Sequence, residues 1–356
     1  MTRITVTGRI ANPAGPTGAS GAGTTGPDAP DTPPAGRSTR RIASVLLRQE
    51  ASLLGVVAVI VIAATIANPA FISPDNLTEI LRSSVIYFVM GCGAALLIIG
   101  GGLDFSVGAV FTLSALTGTS LMKLGVWVPV AILAALLVAA LVGVLNHLII
   151  TYWHVPPIIA TLGTFFMVLG INALITGGLD VLPLPTEFVR LGQGYFIGIP
   201  NVIWIAVLVG VVAWFVLEHT RFGVNVRALG GNRQAAVGNG LRIKRLDLAL
   251  YMIAAVTGGI AGLLYSARVG AGQVEAGGSA TTLVVVTAVL IGGVSLLGGL
   301  GNITGVAVGA VLLSLIDNAL IVASIPPQYN NIVVGAILVC AVAVDYLRRQ
   351  QLYKRR

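Results

Sequence analysis

Long apolar runs, separated by short polar or glycine-rich breaks, fill the chain from residue 50 to residue 347. About 20 apolar residues cross a hydrocarbon core of about 30 Å. A backbone surrounded by lipid must bond to itself, so runs of that length are helices. The pattern predicts ten: 50–67, 84–101, 106–122, 127–150, 157–176, 201–218, 248–268, 281–298, 303–323 and 330–347. Only Gly102 to Phe105 separate the second from the third. The expected fold class is an all-α, polytopic membrane protein with about ten transmembrane helices.

One break differs from the others. Residues 218–247 read EHTRFGVNVRALGGNRQAAVGNGLRIKRLD, a long polar interruption between two apolar runs, carrying Arg221, Arg227, Arg233, Arg242, Lys244 and Arg245. Asn232 is placed to cap a short helix over 233–237 by accepting a hydrogen bond from a free backbone N–H. Gly238 and Gly240 can end it in the left-handed conformation. Such a helix would present Ala235 and Ala236 to a groove of another protein, with arginines around it to meet acids there. An ordinary surface loop made basic by membrane topology has the same composition, and the residues alone leave both readings open.

Charge gives the orientation. With the amino terminus inside, 17 of the 21 Lys and Arg fall on cytoplasmic segments, and only Arg82, Lys123, Arg190 and Arg268 fall outside. That bias places both termini and the 218–247 loop in the cytoplasm. Residues 1–40, with seven Gly and six Pro and no apolar run, cannot bury enough surface to offset ordering and are expected to be a disordered cytoplasmic tail. They also lack the apolar middle of a cleaved signal. Residues 50–347 form the membrane domain and 348–356 a basic cytoplasmic tail.

Composition narrows the class further. Only 10% of residues are charged, against about 25% in soluble domains, so lipid has to be the solvent. The net charge of +8 sits beside apolar runs, which fits orientation rather than nucleic-acid binding. Many of the 45 glycines lie inside the runs, where they let helices approach closely. Cys92 and Cys340 also lie in apolar runs and read as buried single thiols. None of the lysines, Lys123, Lys244 and Lys354, precedes Ser or Thr, so the chain has no phosphate-binding loop of that kind. His147, His154 and His219 lie near expected membrane boundaries with no metal-ligand spacing. No catalytic, cofactor-binding or metal-ligating set is expected. Residues 98–116 echo 290–316, each with a Gly-Gly turn after an apolar run and Gly-Ala-Val inside the next, a hint of internal repetition of the kind transporters use.

Five ordered motifs carry a resemblance from about Phe71 to the carboxyl end. Gln234-Ala235-Ala236 with Gly240 resembles the EAA–G signature of ABC importer permeases, with Gln in place of Glu. The stretch from Val226 to Asn232 is similar to the ribose/xylose/arabinose/galactoside branch of those permeases. Gly101 to Gly108 resembles that branch's GGIDLSVG, Pro156 to Gly163 its P-x-F-I-x-T-L-G segment with Pro157 and Ile158 as departures, and Ile291 to Gly301 its glycine-rich segment. The resemblance implies a permease dimer, of identical copies or paralogues, in a bacterial inner membrane. It implies a cytoplasmic ATPase that binds the ATP and grips Arg227, Asn232, Arg233, Gln234, Ala235, Ala236 and Gly240. It also implies an extracytoplasmic binding protein that delivers a monosaccharide. The Glu-to-Gln change removes one charge from the gripped helix.

Polar groups within apolar runs complete the candidates. Asp104, Asn146, Asn172, Asp317 and Asn318 must each face protein or water. They either line a translocation path or join helices by hydrogen bonds. Asp104, among glycines, also suits capping a backbone break. Two rival functions stay open: an ion-coupled transporter working without an ATPase through Asp104 and Asp317, and a permease for another solute, such as a branched-chain amino acid.

Overall fold

The computed structural model describes residues 55–326 and 328–353. The tail expected at 1–40 and the terminal Lys354, Arg355 and Arg356 lie outside the described residues. The longer helices are α1 (Gly55–Ala67), α2 (Pro74–Ile99), α3 (Val107–Lys123), α4 (Val128–Tyr152) and α5 (Pro157–Thr176). A short α6 (Thr186–Gln193) and a two-stranded hairpin, β1 (Tyr195–Phe196) with β2 (Ile199–Pro200), lead into α7 (Asn201–His219). The chain continues through α8 (Arg221–Gly231), α9 (Arg233–Gly238), α10 (Ile243–Val269), α11 (Ser279–Ile291), α12 (Ile303–Val322) and α13 (Gln328–Tyr353).

Six of these, α2, α4, α5, α7, α10 and α12, are long and apolar enough to cross a membrane. α1, α11 and the apolar part of α13 (Gln328–Ala343) are shorter. Three expected boundaries move. α2 begins at Pro74 rather than at 84, because Ser73 accepts a hydrogen bond from the Asn76 N–H (3.3 Å) and Pro74 is at the helix start, where a missing N–H costs nothing. α10 begins at Ile243 rather than at 248, and α11 stops at Ile291 rather than at 298. The expected tail at 348–356 is helical as far as Tyr353.

Helices sort into an inner set and an outer set. The apolar window of α2 is 78% buried and that of α10 61%, whereas α4, α5 and α7 bury only 28–33%. α10 packs against α2, α3, α4 and α6, and α2 packs also against α7, α11 and α12. Of the outer helices, α4 is small inside and large outside. α4 buries Ala131, Ala135, Ala139 and Gly143 and exposes Leu133, Leu137, Leu141 and Leu145. Lipid is as apolar as leucine, so close backbone approach, not hydrophobicity, selects the inward residues. A Cβ on Gly143 would stand 2.6 Å from the Tyr251 carbonyl of α10, and one on Gly262 would stand 2.0 Å from the Phe111 carbonyl of α3.

α3 starts inside the bundle rather than at its end. The glycine Gly258, near the middle of α10, would place a Cβ 2.8 Å from the Val107 side chain. The chain leaves α2 at Gly100, turns, and runs back into the bundle over 102–106 before α3 begins.

Candidate functional site

The polar interruption at 218–247 folds into two helices, not one short helix in a loop. Thr220 starts α8 by accepting from the Gly223 N–H (3.3 Å), and Val226 and Leu229 of α8 are buried in the main core. Asn232 caps α9 as expected, accepting from the Ala235 N–H at 3.0 Å. At the far end Gly240 takes φ +78°, and the Leu241 N–H reaches back to the Ala236 carbonyl (3.1 Å), a standard left-handed helix end. Gly238 is the last helical residue instead.

Two expectations about this segment change. Ala236 is 4% exposed, so α9 presents Arg233, Gln234, Ala235 and Val237 outward but not Ala236. Two of the arginines are already paired within the chain: Arg227 with Glu218, and Arg233 with Asp247 of α10. Arg221, Arg242, Lys244 and Arg245 are exposed, and the Lys244 ammonium lies 4.9 Å from the centre of the Tyr152 ring.

Beneath α8 lie two helix breaks. α2 and α11 end in the same way. The N–H groups of Gly100, Gly101 and Gly102 bond to the carbonyls of Leu96, Ile98 and Leu97, while those of Gly292, Gly293 and Val294 bond to Ala288, Leu290 and Val289. Gly101 (φ +84°) and Gly293 (φ +89°) hold the left-handed position that a side chain would strain. The same ending, three backbone bonds around a left-handed residue, also closes α3 at Gly125, α9 at Gly240 and α12 at Ser324, so it is the common helix stop of this chain and does not by itself bear out the repetition expected between 98–116 and 290–316.

The five polar candidates fall into three places. Asp104 and Asn146 meet in one buried cluster. The Asp104 carboxylate accepts from the Ser106 N–H (2.7 Å), the Ser106 hydroxyl (2.6 Å) and the Asn146 amide (3.3 Å). Asn146 also donates to Ser106 Oγ (2.8 Å) and accepts from Thr164 of α5. Asp104 thus caps the returning backbone and ties the α2–α3 break to α4 and α5. It also borders a small cavity beside Ala94, Phe105 and Val286. Asn172 of α5 donates to the Ala109 carbonyl of α3 (3.2 Å). Asp317 and Asn318 lie towards the far end of α12 and face α2: Asp317 accepts from the Tyr87 hydroxyl (2.9 Å), and Asn318 exchanges two 2.8 Å bonds with Asn76.

The end of the bundle opposite α8 carries its own polar contacts. Arg268 pairs with Glu79 and donates to Ser83 Oγ (3.2 Å), and Gln193, at the end of α6, donates to the Arg268 carbonyl (3.0 Å). The pattern of apolar runs did not find α6, the hairpin or α8. The signals for α8 were Thr220 as a cap and the paired Gly230-Gly231 as a stop.

Comparison with known proteins gives a consistent set. The family described as branched-chain amino acid transport system / permease component matches residues 76–342. The chain is 32% identical over 303 residues to the ribose import permease protein of Escherichia coli strain K12, covering 84% of this chain and 94% of that protein. It is 34% identical over 289 residues to the ribose import permease protein of Bacillus subtilis strain 168, covering 81% and 89%. It is 32% identical over 300 residues to the galactose/methyl galactoside import permease protein of Haemophilus influenzae, covering 79% and 89%. No solved structure matches the chain.

Proposed function

This chain belongs to the family of branched-chain amino acid transport system permease components, and we propose that within it the chain is the permease subunit of an ATP-driven monosaccharide importer in a bacterial inner membrane. Relatives that take ribose, allose and galactosides, each matched over most of their length, support the sugar. The ten apolar helices α1–α5, α7 and α10–α13 cross the membrane, with both termini and the α8–α9 end in the cytoplasm, as the distribution of Lys and Arg favours.

The observation that carries the reading is the α8–α9 module. It is a polar projection with a buried root, Val226 and Leu229, and an exposed tip, Arg233, Gln234 and Ala235. A separate ABC ATPase binds ATP and grips this tip. An extracytoplasmic binding protein delivers the sugar at the opposite end, and a second copy or a paralogue completes the pathway. The chain contributes no ATPase site of its own. Its helices alternate between inward-open and outward-open arrangements, and the nucleotide shifts that balance by binding one state better.

The test is uptake in liposomes by the full chain, with and without its ATPase subunit. Sugar accumulation only when ATPase and ATP are present is expected. Accumulation by the chain alone on a sodium or proton gradient would replace this reading with the ion-coupled one. Leucine uptake in place of ribose uptake would keep the machine and change its cargo. Ala235→Arg places a bulky charge on the exposed tip and should abolish uptake with the chain still inserted; Ala236→Arg is a poorer probe, because Ala236 is packed.

A further inference from the structure

Resting on the coupling reading above, we infer that Gly230, which no motif singled out as a contact residue, is the joint through which α8–α9 moves both helix breaks at once. Three backbones meet there. A Cβ on Gly230 would lie 1.8 Å from the Ile99 carbonyl oxygen at the end of α2 and 2.6 Å from the Gly299 nitrogen in the α11–α12 break. Those two partners are bonded to each other, the Gly299 N–H donating to Ile99 O at 2.8 Å. Gly298 closes the other side: a Cβ there would stand 2.9 Å from the Gly230 carbonyl oxygen and 3.2 Å from the Gly101 Cα.

The contact is backbone on backbone, so no side-chain rotation can absorb a displacement. A rigid α8 pushed at its outer end by a partner must carry Ile99 and Gly299 with it or break the joint. Arg227, one turn earlier on α8, adds a second tie by donating to the Gly301 carbonyl (3.3 Å). Ile99 ends α2 ahead of the segment leading into α3, and Gly299 lies in the segment leading into α12, so one input reaches both breaks. Gly230 is a positioning residue: it touches neither solute nor nucleotide.

The neighbouring glycine supplies the control. A Cβ on Gly231 would meet nothing within 4 Å. The experiment compares Gly230→Ala with Gly231→Ala in the complete complex, with its ATPase and binding protein, ATP, and ribose as the probe solute. Complex recovery, ATP hydrolysis and uptake are measured separately. Gly230→Ala is expected to assemble and hydrolyse ATP while solute moved per ATP falls by about five- to a hundredfold, the range of typical coupling energies. Gly231→Ala should match the parent.

Uptake per ATP unchanged in Gly230→Ala would overturn the inference while leaving the importer reading intact. A parent chain that never engages the ATPase would sink that reading and the inference with it. If Gly230→Ala does not assemble, hydrogen exchange in the parent complex decides. On adding a non-hydrolysable ATP analogue, the Gly299 amide and residues 227–231 should change protection together. A change confined to 227–231 would overturn the joint.

Discussion

The two helix breaks start alike and end differently. Both leave their helix through the same three backbone bonds and a left-handed glycine. After that point the α2–α3 break is held by side chains. It re-enters the bundle and is fixed by Asp104, Ser106 and Asn146, with Thr164 behind them. The α11–α12 break adds close glycine packing to its side-chain bonds, which include Arg227 to the Gly301 carbonyl and the Asn302 cap of α12. Gly298, Gly299 and Gly301 take positive φ, and two glycines, Gly292 and Gly305, let its flanking helices touch. The first break is anchored to the outer ring through α4 and α5. The second is tied to α8 through Gly299 and Gly301, while α8 also abuts Ile99 at the end of α2. Two breaks that begin with the same turn are thus secured by different means, and α8 lies against both.

If that contrast is right, removing a side chain should hurt the first break most, and adding one should hurt the second. Asp104→Ala takes the acceptor from the buried Ser106 N–H and hydroxyl and one of the two acceptors from the Asn146 amide, which should cost about 3 kcal/mol. A lower melting temperature of the detergent-solubilised chain reads this. Asp104→Asn, which restores one acceptor, should recover part of the loss. An unchanged melting temperature for Asp104→Ala would erase the distinction.

Gly305→Ala is the counterpart. Its Cβ would lie 1.9 Å from the Gly292 carbonyl oxygen, and forcing α11 from α12 should cost about 2 kcal/mol in the same assay. Deleting a side chain from this second break should matter less. Asn302 caps α12 by accepting from the Gly305 N–H (2.7 Å), and loss of that cap alone in Asn302→Ala should cost about 1 kcal/mol. A loss as large as that of Asp104→Ala would mean that both breaks depend equally on side chains. The smallest effect belongs to the exposed tip. Arg233→Ala removes an ion pair with Asp247 whose arginine is 56% exposed, and stability should fall by less than about 1 kcal/mol. Because α9 faces the proposed ATPase, recovery of the complex should fall further than the melting temperature does.

Legibility in the sequence tracked the range of the interaction. Asn232, three residues before the amide it caps, and Gly240, four beyond Ala236, were readable because capping is local. The helix at 157–176 was placed to the residue, since Pro157 opens it and Gly177 (φ +65°) closes it. The start of α2 was missed because its first two turns, with Asp75, Glu79 and Arg82, fail a hydropathy window although Ser73 caps them. Ala236 was misjudged because α9 is too short to display a periodic face. Asp104 was read as a possible cap, but its partners Asn146 and Thr164 lie 42 and 18 residues further along successive links, and no spacing rule connects them.

What the sequence determined by itself is therefore the solvent and the segments. Too few charges to face water, together with apolar runs of membrane length, leave lipid-embedded helices as the form in which backbone bonds are satisfied within each run. The polar interruption and its cap follow from the same local rules. Tertiary structure alone decided which glycine has no room for a side chain and which has. Gly230 and Gly231 are identical in type, adjacent in the chain and both packed beside Gly299, yet a Cβ on Gly230 would run into Ile99 and Gly299 and one on Gly231 would point into open space. That difference comes from contacts across more than sixty residues on either side. Such contacts exist only once α2, α8 and the α11–α12 break have been brought to the same end of the bundle.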